Sequence, residues 1–165
     1  MAILKQYLAL CWFQSNPLAL PRSVDFFKKN LWFYYIVEFF IQVNMIDDPV
    51  ESFYEVTLET GLTLLFIGTM LLINKSLYVF IQIATAFLFT ENVVAIFLVP
   101  VIVWLTTTDS ALSYYTFAGL ALWQYALITY LIRCTLSINI PAAITLSFLY
   151  FILTYGAAFG LAQII

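Results

Sequence analysis

Glu91 lies in the stretch Phe87-Leu-Phe-Thr-Glu-Asn-Val-Val94, near the middle of a long apolar run. An ionisable side chain at the centre of a bilayer costs from about 2.5 kcal/mol upward, so a carboxyl in such a run must be protonated, paired or turned to a wet cavity. Two kinds of chemistry suit it. It can relay a proton or hold a cation or polar substrate inside a helical bundle, or it can act as glue, hydrogen-bonded to another helix through Gln124, Asn92 or a threonine. Glu38 and Gln42 are four residues apart and share one helical face, as do Glu55 and Glu59. These pairs can build a carboxylate cluster in one half of a bundle. Alternatively, Glu55 and Glu59 occupy only the first turns of their helix, where water and the positive end of the dipole stabilise acids. Glu91, Glu38, Glu59 and Gln124 form the candidate intramembrane polar site. Arg133 is the candidate lipid-headgroup residue, because a planar guanidinium matches phosphate oxygens; near a helix end it can equally snorkel to the interface.

The elements that position these residues follow from composition. Of 165 residues, 64% are apolar and 9% charged, with a mean hydropathy of +1.01, which leaves too little polar surface to coat a globule in water. Backbone amides in hydrocarbon must be satisfied internally, so spanning segments are helices or a closed barrel, and long unbroken apolar runs select helices. The expected fold is an all-α polytopic membrane bundle. It forms one domain over residues 1–165, with an interfacial segment over 1–25 and five spans near 26–45, 53–73, 77–104, 114–136 and 141–164. The stretch Ala2 to Phe13 is shorter than the roughly 20 residues needed to cross and is expected to lie on the membrane surface. It has no small-residue cleavage site and is expected to be retained. Pro17 and Pro21 make the next piece extended, and Ser23 or Asp25 is placed to cap the first span. Pro100 predicts a bend or tilt in the long third span.

Five spans sort the charges. Lys5, Arg22, Lys28, Lys29, Lys75 and Arg133 fall on one side, and Asp47, Asp48, Glu51, Glu55 and Asp109 on the other. The positive-inside rule makes the cation side cytoplasmic, with the N-terminus inside and the C-terminus outside. Dropping one span would put Lys75 or Arg133 on the wrong side.

Other chemistry finds little support in the residues. Cys11 and Cys134 have no Cys or His neighbours and the chain has no histidine, so no disulfide, metal site or cofactor is expected. A net charge of −3 on few charges offers no nucleic-acid surface. Gly156 and Gly160 form a small-xxx-small step suited to a close helix crossing, inside the bundle first and at a homodimer face second. Trp12, Trp32, Tyr34, Tyr35 and Trp104 suit interfacial belts.

Pro17-Leu-Ala-Leu-Pro-Arg-Ser23, Phe80-Ile-Gln-Ile-Ala-Thr-Ala86, Pro100 with Trp104, Trp123, Ile132-Arg133, and Tyr150 with Tyr155 together resemble small inner-membrane proteins of proteobacteria. These in turn resemble the bacterial branch of the Ypt-interacting protein (Yip) superfamily. The resemblance implies a five-helix bundle in a bacterial inner membrane and no catalytic residues. The expected role is non-enzymatic: a subunit or scaffold that binds the lipid bilayer, a membrane-protein partner or further copies of itself. The alternative is a small oligomeric transporter or channel with Glu91 on a polar path. A third possibility, an enzyme acting on lipid, requires Glu38, Glu59 and Glu91 to converge. Reporter tags fused to the two termini should report opposite compartments; finding both in one compartment would overturn the five-span topology.

Overall fold

The computed structural model describes residues 2–45, 48–108 and 110–163, so Asp47 and Asp109, two of the acids used to orient the chain, lie outside the described residues. The described residues are mostly helical, with no strand among them. The helices are α1 (Ala2–Leu10), α2 (Val24–Met45), α3 (Pro49–Ile73), α4 (Phe80–Thr107), α5 (Ala111–Leu136), α6 (Ile140–Phe151) and α7 (Ala157–Ala162). Four stretches are long and apolar enough to cross a membrane: Pro49–Ile73, Leu77–Thr107, Ala111–Leu136 and Ile140–Ala162. At 22 residues α2 is about 33 Å long, enough to cross, but Asp25, Lys28, Lys29 and Glu38 make it more polar than the others.

Short polar signals set the helix ends. Ser23 Oγ accepts from the Phe26 amide at 3.2 Å, opening α2. Asp48 accepts from the Val50 amide at 2.8 Å with Pro49 at the first helical position, so α3 begins at Pro49 rather than near residue 53. Asn139 caps α6 through the Ala142 amide at 3.0 Å, again with a proline in the first turn. At the end of α4, the hydroxyls of Thr106, Thr107 and Thr108 donate to the carbonyls of Val103 and Trp104, which satisfies acceptors a helix end leaves free and carries α4 past residue 104 to Thr107. Lys75 and Ser137, which follow α3 and α5, adopt the left-handed conformation that reverses the chain tightly at a helix end.

Neighbouring contacts close a ring. α2 packs on α4, α4 on α5, α5 on α6, the α6–α7 segment on α3, and α3 back on α2. α4 also touches α3 across the ring and is the most buried of the spans, as expected from its nearly unbroken apolar sequence. Its helix continues through Pro100, which removes one backbone donor without ending the element. The last helix departs from expectation. Instead of one α-helix over 141–164, a π turn at Ile152–Gly156 separates α6 from α7. Gly156 and Gly160 do not mediate a close crossing within the chain, because a Cβ at either would meet nothing within 4 Å.

The interior is segregated along the bundle. Tyr7, Leu10 and Cys11 join Ile67, Leu71, Ile83, Phe87, Ile128 and Leu131 in an apolar core at the end where α1 packs. α1 therefore lies with one face against α4, and Tyr7 is fully buried between Phe26 and Phe89, its ring 5.0 and 5.6 Å from theirs. Its hydroxyl donates to the Pro21 carbonyl at 3.0 Å. Burial pushes the Tyr7 phenol from 10.0 up to about 12, and burial likewise pushes the Cys11 thiol up to about 12, leaving it unreactive as a thiolate. Because the folded protein holds the Tyr7 proton more tightly than the unfolded chain does, this group's contribution to stability is intact below pH 10 and lost as pH rises toward about 12. Thermal unfolding in detergent should accordingly fall more steeply across that window for the native chain than for Tyr7→Phe; parallel curves would contradict the assignment.

Candidate functional site

Beyond the apolar core the helix faces turned inward become polar. On α2, Tyr34, Glu38 and Gln42 recur every four residues, and on α3 Ser52, Glu55, Glu59 and Thr63 recur at three- and four-residue steps, so each set forms one stripe. The stripes face each other. Gln42 Nε2 donates to Glu55 Oε1 at 3.3 Å, and the Tyr34 hydroxyl donates to Glu59 Oε1. Glu59 is 1% exposed and Glu55 is also buried, so neither carboxyl is a watered first-turn acid.

The other three long helices add one group or more each. Glu91 of α4 is 2% exposed and accepts from the Tyr150 hydroxyl of α6 at 2.6 Å. Thr63 of α3 lies 3.4 Å from the same Tyr150 oxygen. Gln124 of α5 donates to the Tyr155 hydroxyl at 3.2 Å, and Tyr155 in turn faces Glu59. The π turn carries Tyr155, which explains how two tyrosines five residues apart both point into one centre. Glu38, Glu59 and Glu91 come within electrostatic reach of one another. Oε2 of Glu91 and Oε2 of Glu55 have no hydrogen-bond partner among the described residues.

The structure thus brings together Glu38, Glu59, Glu91 and Gln124 and leaves Arg133 out. Arg133 is exposed on α5, nine residues and about 13 Å along the helix from Gln124. The partner of Glu91 is Tyr150 rather than Gln124, Asn92 or a threonine. Asn92 instead donates to the Asn30 carbonyl at 3.1 Å, joining α4 to α2. Sequence reasoning missed Tyr34, Tyr150, Tyr155 and Thr63 as members of the site. The available signal was spacing: Tyr34 precedes Glu38 by four residues and Thr63 follows Glu59 by four.

No lysine or arginine acts on the three carboxylates, and among the described residues no group of acids is arranged to hold a metal ion. Phenols and an amide are therefore their polar neighbours. Carboxyls sharing a dry interior titrate as a unit, since ionising one opposes ionising the next. A proton or a small cation relieves that repulsion. On the far side of Tyr150, the rings of Phe66 and Phe87 pack at 5.2 and 5.7 Å and separate the centre from the apolar core.

Compared with known proteins, the chain matches no family model, no curated protein and no solved structure. A double-mutant cycle on Tyr150→Phe and Glu91→Gln, read by denaturant titration in detergent, should return a coupling of roughly 0.5–3 kcal/mol; strictly additive losses would show that the hydrogen bond is absent in the folded protein.

Proposed function

We propose that the chain is a five-span protein of a bacterial inner membrane, N-terminus cytoplasmic, acting as a small transporter in which Glu91 lies on a polar path. One observation carries this reading. All five long helices contribute a side chain to a single inward-facing centre in which Glu59 and Glu91 are buried, Glu38 is partly buried, and no lysine or arginine takes part among the described residues. Intramembrane acids in such settings serve proton relays and ion pathways.

The α2 and α3 stripes supply the path. From Asp48 and Glu51 at the start of α3, the groups run through Glu55 with Gln42, then Glu38 and Glu59 with Tyr34, to Glu91 with Tyr150. Phe66 and Phe87 close the other end, which suits a site reached from one side at a time. The π turn in the last helix, which carries Tyr155, lies beside the site and adds support, because such turns occur mostly at functional sites.

A second reading, a non-enzymatic subunit or scaffold, is favoured by α5. The first half of that helix is exposed on nearly every face, with Leu112 62% and Tyr115 75% exposed, which offers surface to a partner protein. Flux measurements in proteoliposomes separate the two. The native chain should carry a proton or monovalent-cation flux that Glu91→Gln lowers to background and Glu38→Gln lowers partly. Flux unchanged in Glu91→Gln, or absent from the native chain, would sink the transporter reading, while a chain always monomeric and alone in mild detergent would sink the scaffold.

A further inference from the structure

A cleft of about 520 Å³ opens on the outside of the bundle between α3 and the α6–α7 segment, away from the carboxylate centre. Leu62, Phe66, Ile73, Leu149 and Leu153 line it, and Asn74 closes one end. Its walls belong to stretches apolar enough to cross a membrane, so the medium that meets it is acyl chain.

Two features restrict the occupant. Along α3 the cleft runs from Leu62 to Asn74, twelve residues or roughly 18 Å, which is close to one leaflet of a hydrocarbon core about 30 Å thick. A spanning helix of a partner or of a second copy covers the full membrane depth, about twice the length of this cleft. The Asn74 end also carries cations: Lys75 follows Asn74 directly, and Arg133 sits three residues before Leu136, another wall residue, on the same face of α5. Both side chains are exposed. No carboxylate occurs between Gly61 and Asn74 or after Asp109. Length, apolar lining and charge at one end match a single lipid of the leaflet on that side.

We infer that this cleft binds one phospholipid with an anionic headgroup, its acyl chain between α3 and α6 and its phosphate held by Lys75 and Arg133. Basic residues at the headgroup end of a crevice between spans recognise anionic lipids in this way, and arginine adds a two-pronged match to phosphate oxygens. The site is separate from the carboxylate centre and does not depend on transport.

Native mass spectrometry tests it on the full chain, delipidated in mild detergent and offered equal amounts of phosphatidylglycerol and phosphatidylcholine. The native chain should retain one phosphatidylglycerol in preference to phosphatidylcholine. Replacing both cations, Lys75→Gln with Arg133→Gln, should lower that preference roughly tenfold, with retention of phosphatidylcholine falling much less because its choline already balances the phosphate charge. Ala157→Trp, which fills the cleft and spares both charges, should lower retention of both lipids. Unchanged phosphatidylglycerol retention in either variant would overturn the inference. So would recovery of a lipid-free dimer that Ala157→Trp converts to monomer, since the cleft would then belong to a second copy of the chain.

Discussion

The hydrogen bond from Tyr150 to Glu91 ties the last helix to the most buried one and decides where the interior stops being apolar. Below it, aliphatic and aromatic side chains from α1, α3, α4 and α5 dominate, with Gln82, Thr85 and Thr135 as scattered buried polar groups. Above it, carboxyls, phenols and amides face inward from five helices. A bundle in hydrocarbon gains little by hiding apolar side chains from a solvent that is itself apolar, so polar contacts and close packing must supply much of its specificity. The polar half meets that need, because each of its bonds has a particular partner on another helix, whereas apolar contacts tolerate slippage.

The same constraint explains the position of the tyrosines. A phenol can donate to a carboxyl oxygen while its ring satisfies neighbouring aromatics, and Tyr150 does both, touching Glu91 with its hydroxyl and Phe66, Phe87 and Phe151 with its ring. Lysine or arginine in that position would have fixed the carboxylate charge. With phenols as partners, no cationic side chain fixes the charge of these carboxyls.

Much of the architecture was legible because hydrocarbon imposes length and polarity rules on each segment separately. Ser23 and the Asn139 to Pro141 step announce helix starts and Asn74-Lys75-Ser76 announces a stop, all from local chemistry, whereas the Asp48 cap went unread and α3 starts four residues earlier than expected. Glu91 stood out because its burial is costly wherever it falls. What could not be read was pairing over distance: Tyr150 lies 59 residues from Glu91 in sequence, and Tyr34 lies 25 from Glu59. Tyr34 and Tyr155 looked like any of eleven tyrosines in an aromatic-rich chain. The π turn was equally hidden, since Ile152-Leu-Thr-Tyr-Gly contains no residue that forbids an ordinary helical turn. Gly156 and Gly160 misled in the opposite direction, because a small-residue step permits a close crossing without requiring one.

Two joints between long helices, Asn74–Ser76 and Ser137–Asn139, are three residues each, and each is turned by a left-handed residue. Such joints give a water-borne molecule almost nothing to grasp. A lipid or a partner helix that engages the outer faces of the long helices arrives sideways through the bilayer, so its effective concentration is set by partitioning and lateral diffusion. The make-up of the surrounding lipid then becomes a determinant of occupancy in its own right.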